Sequence, residues 1–227
     1  MGRERQLAPF FFVGYNVAMA SKGKFLVIDG GEGSGKSTLM SFLPEIFGDQ
    51  KFLATREPGG SPFAEEIRNL MLTNKESGSA SPETQFGLIW AARHDHLKKK
   101  IIPALEDGAH VVSDRFDSST YAYQIFGQEA PQLEKLFWDI REIYLRDHKP
   151  DLYIFLDIDP ELGLKRVASR KKETDHFDRR KLPFHKKIRE GYMEFLKGVP
   201  HVVIDTGGEI PEARKKFSNA VRDFLAK

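Results

Sequence analysis

Hydrophobic positions along the chain alternate between two patterns. Short, nearly continuous runs of β-branched and aromatic residues are typical of strands covered on both faces of a parallel sheet. Between these runs, apolar residues recur at helical spacing. The alternation predicts βαβ units and therefore an α/β fold: a doubly wound, mostly parallel five-stranded sheet with helices on both faces. The predicted strands are Phe25–Asp29, Lys51–Thr55, Ala109–Asp114, Leu152–Asp157 and His201–Asp205.

Helical patterns occupy the intervals between the predicted strands. Two of them follow Ser-Pro pairs, at Ser61-Pro62 and Ser81-Pro82, and such a pair is a favourable N-cap and first turn. The second of these helices is predicted to run to about Ile102. Further helices are expected around Phe137–Tyr144 and after Pro211.

Composition narrows the class of protein. A chain of 227 residues with 40% hydrophobic and 30% charged residues is expected to fold, and it has no cysteine for a thiol nucleophile. It contains no run of about 18 apolar residues, so no membrane span is predicted. The net charge is only +2, yet residues 165–189 hold 11 Lys/Arg and three Asp/Glu. A basic segment in an otherwise mildly acidic chain predicts a local anion site, and we expect no nucleic-acid partner.

A glycine-rich sequence directly follows the first predicted strand and precedes a helical pattern. It reads GGEGSGKS and fits the phosphate-binding pattern G-x-x-x-x-G-K-[ST]. Glycines let backbone N–H groups turn toward phosphates, and the start of the helix adds positive potential. The lysine would contact the β- and γ-phosphates, and the serine would bind Mg²⁺. The predicted nucleoside triphosphate ligands are Gly30, Gly31, Glu32, Gly33, Ser34, Gly35, Lys36, Ser37 and Thr38.

Two arginines stand at the ends of predicted strands, where doubly wound sheets bind ligands. Arg56 follows the second strand and Arg115 the third. A planar guanidinium suits a phosphate, although either arginine alone could equally form a salt bridge with a neighbouring helix. The guanine-binding string N-K-x-D of GTPases does not occur. A second anion site together with a basic lid predicts a kinase for a small phosphorylated acceptor.

Several short motifs follow in one characteristic order and spacing. They are an acidic residue inside the phosphate loop, R-E-P-G-G, A-A-R, D-R-F-x-x-S-T-x-A-Y-Q, and P-D-L-x-x-x-L-D followed by G-L-K-R. From about Lys24 to the C-terminus the chain thereby resembles thymidylate kinases of the bacterial type. The resemblance implies transfer of the ATP γ-phosphoryl group to dTMP, giving dTDP and ADP for dTTP synthesis. It also implies Mg²⁺ as cofactor and a homodimer.

The resemblance implies roles for individual residues. Lys36 and Arg115 would be catalytic, and Arg115 would hold the dTMP 5′-phosphate together with Arg56. Arg93 would hydrogen-bond the thymine edge, and Tyr123 would lie under the deoxyribose, where a 2′-hydroxyl would clash. The other implied ligands are Ser37 and Asp114 for Mg²⁺, and Glu32, Ser119, Thr120 and Gln124 for dTMP.

The basic segment corresponds to the family's lid, at about residues 168–184. A phosphate loop that carries Glu32 and no arginine matches the bacterial pattern, in which the lid supplies an arginine that stabilises the transferring phosphoryl group. Arg170 and Arg179 are the predicted catalytic arginines of the lid. Because His176 stands where the family has an arginine, the identity of the acting residue stays open among Arg170, Arg179 and Arg180.

Residues 1–22 are predicted to lie outside the core domain, which covers residues 23–227. A short apolar stretch and the small residues 18–20 resemble a secretory signal with a cleavage site. Pro9 interrupts the stretch, and a kinase needs cytosolic ATP. We therefore expect a cytoplasmic protein with an N-terminal extension, and Met19 is an alternative initiator.

Two departures from the family pattern leave the acceptor open. Ile89 stands where a phenylalanine usually stacks on thymine, so stacking is lost, replaced by aliphatic contact, or supplied by Phe86. Residues 125–129 also lack the usual glycine-rich sequence. The alternatives are a kinase for another monophosphate such as dUMP, a nucleoside kinase, and a regulatory nucleotide-binding protein without turnover. The arginines after the strands argue against a nucleoside kinase, and the intact phosphate loop argues against the regulatory protein.

Overall fold

A computed structural model describes residues 22–74, 76–169 and 180–226 of the chain. The predicted lid residues Arg170, His176 and Arg179 lie outside the described residues, as do residues 1–21.

Within the described residues, five parallel strands form one sheet in the order β2-β3-β1-β4-β5. The predicted α/β sheet is confirmed, and each strand agrees with its predicted bounds to within one residue. The strands are β1 (Phe25–Gly30), β2 (Phe52–Arg56), β3 (His110–Asp114), β4 (Leu152–Asp157) and β5 (His201–Asp205).

The strand order reverses beside β1, which lies in the centre between β3 and β4. Such a switch point opens a crevice beyond the carboxyl ends of the strands, where ligands bind. The register pairs Arg56 with Asp114, and Asp114 with Ile28. The residues that follow β1, β2 and β3 therefore meet at one edge of the sheet.

Helices connect the strands, and Ser61 and Ser81 are the N-caps of the two helices predicted after Ser-Pro pairs. No helix in the described ranges is long and apolar enough to cross a membrane. Wider π turns occur at Leu97–Ile101 and Tyr121–Gly127, and 3₁₀ turns at Ser77–Ser79, Pro131–Leu133 and Arg146–His148. The helices are α1 (Lys36–Met40), α2 (Leu43–Phe47), α3 (Pro62–Thr73), α4 (Pro82–His96), α5 (Ile102–Glu106), α6 (Asp117–Thr120), α7 (Glu134–Leu145), α8 (Pro160–Ala168), α9 (Leu182–Leu196) and α10 (Ile210–Ala226).

The helical region that begins at Pro82 extends further than predicted. The sequence predicts an end at about Ile102, because Pro103 lacks the N–H that α-helical bonding requires. Instead, the π turns of Leu97–Ile101 join α4 to α5, which ends at Glu106. In the π turns before Pro103 the backbone N–H groups bond one residue further back than in an α-helix, and this wider turn accommodates the proline ring.

Alternate strand residues pack into two hydrophobic layers on opposite faces of the sheet. Phe25 and Val27 of β1 belong to the layer that includes α4, α7 and α9. Leu26 and Ile28 belong to the layer that includes α1, α2 and α10. A smaller cluster joins α3 to α4 and contains Ile89.

The two edge strands are more exposed than predicted. Continuous apolar runs predict strands covered on both faces, and this is confirmed for β1, β3 and β4. The expectation is wrong for β2 and β5, since Ala54 is exposed and Val203 is 40% exposed. An edge strand has a hydrogen-bonded neighbour on one side only, and the helices cover it incompletely.

Candidate active site

The phosphate loop joins β1 to α1 in the crevice at the switch point. Gly33 and Gly35 have φ values of +73° and +83°, which glycine adopts without strain. A Cβ atom on Gly33 would stand 2.2 Å from the carbonyl oxygen of Gly163, so α8 packs its backbone directly against the loop. The Lys36 Nζ donates to the carbonyl oxygen of Gly30 at 2.9 Å. This is the strand–loop–helix context that the glycine pattern predicts.

Lys36 lies among charged groups from the ends of β1 and β3 and from the phosphate loop. Burial lowers the pKa of Lys36, and the positive charge of Arg115 lowers it further. The carboxylates of Glu32, Asp114 and Asp29 act in the opposite direction. The lysine of the phosphate loop and the arginine after β3 are therefore near enough to repel each other. A phosphate anion between them would relieve that repulsion.

A cavity of about 750 Å³, including space open to solvent, lies beside the phosphate loop and α1. Its walls include Thr38, Arg166 and Thr206. Arg166 donates to the carbonyl oxygen of Thr206 at 2.8 Å and to that of Gly207 at 3.1 Å, which ties α8 to the loop after β5. The phosphate loop, α8 and the loop after β5 therefore line one cavity, which is a candidate site for the rest of a nucleotide.

A cleft of about 790 Å³, including space open to solvent, lies beside the phosphate loop and contains all the predicted acceptor residues. The structure thus brings together side chains that are far apart in the sequence. Sequence reasoning gave no role in the site to five further residues that line the cleft, which are Glu57, Pro58, Arg68, Met71 and Leu72. The predicted residues in the cleft are Glu32, Arg56, Arg93, Asp114, Arg115, Ser119, Thr120, Tyr123 and Gln124.

Arg115 enters the cleft from an unusual backbone conformation. Its φ of +66° lies in the left-handed region, which costs a non-glycine residue about 1–3 kcal/mol. Two hydrogen bonds hold this conformation: the Arg115 N–H donates to the Ile28 carbonyl at 3.0 Å, and the Ser113 hydroxyl donates to the Arg115 carbonyl at 2.7 Å. The guanidinium Nη2 donates to Glu32 at 2.8 Å. Such strain concentrates at functional sites.

Arg93 forms one wall of the cleft and is buried. Its Nε donates to Glu57 at 2.7 Å, and its Nη2 donates to Thr120 at 3.0 Å and to the carbonyl of Phe116 at 2.9 Å. The guanidinium also lies 4.5 Å from the centre of the Trp90 ring. The buried Nη1 has no hydrogen-bond partner among the described residues. Three of the five N–H groups of Arg93 are therefore bonded, and the two on Nη1 remain for a ligand.

A buried chain of polar groups stands behind Arg93. One carboxylate oxygen of Glu57 binds Arg93, and the other lies 3.1 Å from the Nδ1 of His96. The opposite ring nitrogen of His96 lies 2.8 Å from the Thr55 hydroxyl. The sequence offered one signal for these buried polar groups, which is the glutamate of R-E-P-G-G next to Arg56. The histidine had no sequence signal, because its role depends on a helix packing against the loop.

Aliphatic side chains line part of the cleft. Ile89 lies in its wall together with Met71 and Leu72. Phe86 packs in the core at 6.1 Å from Trp90 and is not among the cleft residues. An aliphatic side chain therefore lines the cleft at the position of the usual phenylalanine.

Asp114 and Ser37 are the residues predicted to hold Mg²⁺. Asp114 ends β3, and its buried Oδ1 has no hydrogen-bond partner within the described ranges. The described residues contain no group of three or more His, Asp or Glu that would hold a metal by themselves. Mg²⁺ in kinases is bound through one or two carboxylates, substrate phosphates and water, so this donor set fits the ion.

Several known proteins similar to this chain are thymidylate kinases. The family profile described as thymidylate kinase matches residues 28–217. A thymidylate kinase from Marinomonas sp. (strain MWYL1) is 42% identical over 79% of this chain and 84% of its own. A thymidylate kinase from Hahella chejuensis is 37% identical over 90% of this chain and 99% of its own length. The crystal structure of thymidylate kinase from Ehrlichia chaffeensis superimposes with a TM-score of 0.67 at 26% identity, covering 88% of this chain and 99% of that one.

Proposed function

Because the chain belongs to the thymidylate kinase family, we propose that it transfers the γ-phosphoryl group of ATP to dTMP, giving dTDP and ADP for dTTP synthesis. The observation that carries this proposal is the meeting of two anion sites. Lys36 of the phosphate loop and Arg115 of the cleft repel each other, and Glu32 belongs to the loop while bonding Arg115. This arrangement suits a donor and an acceptor that both carry phosphate.

Arg56 and Arg115 bind the acceptor phosphate in this proposal. Both lie in the cleft at the ends of neighbouring strands. Arg56 donates to Glu65 at 3.0 Å, and Glu65 also accepts from the Gly60 N–H at 2.8 Å, which holds the R-E-P-G-G loop against α3. Arg68 of the same helix donates to the Pro58 carbonyl at 2.7 Å and adds a third positive charge. Three arginines therefore line the part of the cleft where a monophosphate would bind.

Arg93 and Gln124 bind the base. The buried Arg93 Nη1 is a donor, and the buried Gln124 Oε1 is an acceptor, and neither has a hydrogen-bond partner among the described residues. The edge of thymine presents a carbonyl acceptor beside an N–H donor. A site with a donor and an acceptor complements this edge. A ligand without such an edge would leave the buried polar atoms of Arg93 and Gln124 unpaired and would bind more weakly.

Tyr123 and Glu32 border the sugar. The Tyr123 hydroxyl donates to Glu32 at 3.0 Å, and the ring lies 5.3 Å from the guanidinium of Arg115. Burial raises the pKa of Tyr123 well above its ordinary value, so the hydroxyl stays protonated and acts as a donor. A ring held at this place excludes a 2′-hydroxyl and selects deoxynucleotides.

The chemistry is positioning and charge neutralisation. The acceptor phosphate oxygen is already an anion, so no general base is required. Ser37 and Asp114 would hold Mg²⁺, which neutralises charge on the phosphates. Arg170 and Arg179 of a lid at about residues 168–184 are proposed to stabilise the transferring group, and residues 23–227 make up the kinase domain.

The proposal includes a homodimer in the cytoplasm, where ATP is available. Phe63 and Leu70 are 55% and 47% exposed and lie two helical turns apart on one face of α3. Packing of two copies would remove this apolar surface from water. Sedimentation velocity of wild type and Leu70→Glu tests the dimer, which the charged variant should weaken.

The activity is tested by ADP release from ATP and Mg²⁺ with dTMP, dUMP, UMP, dCMP, dGMP or thymidine. Strong, selective turnover of dTMP is expected. A preference for another monophosphate would mean that the cleft wall around Ile89 selects a different acceptor. The mechanism of phosphoryl transfer would still hold. Nucleotide binding without turnover of any acceptor would contradict the proposal and favour a regulatory protein.

A further inference from the structure

Tyr192 of α9 lies at the centre of a buried hydrogen-bond network at the base of the cleft. Its hydroxyl donates to the Asp29 carboxylate at 2.6 Å and accepts from the Arg115 Nη1 at 2.9 Å. The Ser119 hydroxyl lies 2.8 Å from the hydroxyl oxygen of Tyr192. The Tyr192 side chain is fully buried and does not line the acceptor cleft. It therefore contacts the site through Arg115 and Ser119.

The direction of these bonds follows from the groups involved. Asp29 is an acceptor and arginine is a donor only. Burial, reinforced by the charge of Asp29, raises the pKa of Tyr192 well above its ordinary value, so its proton remains on the hydroxyl. The hydroxyl must then donate to Asp29 and accept from Arg115. Arg115 Nη1 also lies 3.4 Å from the Asp29 carboxylate, and the Tyr192 hydroxyl joins the same two groups through shorter bonds of 2.9 and 2.6 Å.

We propose that Tyr192 is a positioning residue that orients the Arg115 guanidinium for the acceptor phosphate. This inference rests on the proposed function, in which Arg115 binds the 5′-phosphate of dTMP. Tyr192 holds Nη1 on one side and Glu32 holds Nη2 on the other, which fixes the plane of the guanidinium. An arginine side chain carries about 2 kcal/mol of rotamer entropy. The network removes much of that freedom before the acceptor binds.

Further bonds tie together the four elements around this network. The second oxygen of Asp29 accepts from Ser118 at 2.7 Å, which ties β1 to α6. Arg189, on α9 one turn before Tyr192, binds Asp157 at the end of β4 with two bonds of 2.7 and 2.8 Å. The hydroxyl of Tyr192 is thus held at a fixed height relative to the ends of β1 and β4.

The test compares Tyr192→Phe with Tyr121→Phe in the full chain. Tyr192→Phe removes the hydroxyl and keeps the ring, whose centre lies 4.9 Å from that of Phe155. Tyr121→Phe is the matched control, because its ring is also buried and its hydroxyl bonds Glu134 instead. Dissociation constants of dTMP and thymidine are measured by calorimetry, together with KM values for dTMP and ATP.

We expect Tyr192→Phe to weaken dTMP binding about tenfold and to raise its KM similarly, since a hydrogen bond to a charged group is lost. Thymidine affinity and the KM for ATP should stay within about twofold of wild type, because neither depends on Arg115 meeting the acceptor phosphate. The control should change none of these values. Equal losses for dTMP and thymidine, or a loss no larger than in Tyr121→Phe, would overturn the inference.

Arg115→Lys separates this inference from the proposed function. The variant should bind dTMP more weakly than wild type and bind thymidine equally well. Adding Tyr192→Phe to it should cause no further loss of dTMP affinity, since both changes act through one guanidinium. If Arg115→Lys leaves dTMP affinity unchanged, the phosphate role of Arg115 fails, and the inference fails with it. If Arg115→Lys weakens dTMP while Tyr192→Phe does not, only the role of Tyr192 fails.

Discussion

Glu57→Gln tests how the cleft holds the buried charge of Arg93. Both carboxylate oxygens of Glu57 are used, one by the Arg93 Nε at 2.7 Å and one by the His96 Nδ1 at 3.1 Å. The side chains of Arg93 and Glu57 are 1% and 3% exposed. Glutamine has the same shape but only one acceptor oxygen. Its oxygen can accept from the Arg93 Nε while its NH₂ faces the Nδ1 of His96, but the buried charge of Arg93 loses its counter-ion.

The expected loss follows from these contacts. One hydrogen bond to a charged group contributes about 1.5–3 kcal/mol, and removing one partner of a buried ion pair costs about 3–5 kcal/mol. Since glutamine can still accept from Arg93 but does not carry the opposite charge, we expect the free energy of unfolding to fall by about 3 kcal/mol, at the lower end of the second range. Affinity for dTMP should also fall, because Arg93 loses its orientation.

Urea unfolding of both proteins measures the loss, with an unchanged m-value as the check that the transition is comparable. Glu142→Gln is the control, because Glu142 binds Lys149 at 2.7 Å on the surface, where such pairs contribute little. A loss in Glu57→Gln no larger than in the control would refute the reasoning. It would mean that Arg93 does not depend on Glu57 for its buried charge.

Three further predictions concern other parts of the chain. Gly60→Ala should lower the unfolding midpoint in urea, because φ is +92° and the new Cβ would stand 2.2 Å from the His96 Nε2; an unchanged midpoint would show that the loop moves freely. Burial, with the charge of Lys24 second, lowers the pKa of His110, whose Nδ1 accepts the Lys24 N–H at 3.1 Å. The folded state then binds fewer protons than the unfolded state, so the free energy of unfolding should fall as pH drops below about 6.5, more steeply in wild type than in His110→Asn; parallel pH profiles would contradict this. Ile89→Phe should tighten dTMP binding in calorimetry, because base–aromatic stacking contributes about 1–3 kcal/mol; weaker or unchanged binding would show that residue 89 does not contact the base.

Much of the fold and of the candidate site could be predicted because the relevant residues are close in sequence. The phosphate loop needs glycines and a lysine in consecutive positions. Arg56 and Arg115 could be placed at one sheet edge because each directly follows a strand, and parallel strands end on the same side. The structure brings both arginines to the cleft.

The supporting contacts could not be predicted in this way. Asp29 and Tyr192 are 163 positions apart, and Glu57 and His96 are 39 apart, so no local pattern links them. Their pairing depends on how whole helices pack against the sheet. Gly163 begins the G-L-K-R motif, but the need for its small size is visible only where α8 approaches the phosphate loop.

The rate of dTDP formation by Lys36→Met, at ATP and dTMP concentrations that saturate wild type, tests the central claim most directly. The account assigns phosphoryl transfer to the phosphate loop and acceptor binding to the cleft across from it. The variant should lose about 10²–10³-fold or more in transfer while still binding dTMP, because it lacks the charge that stabilises the transferring group. Transfer at a rate near that of wild type would contradict the assignment of the phosphate loop.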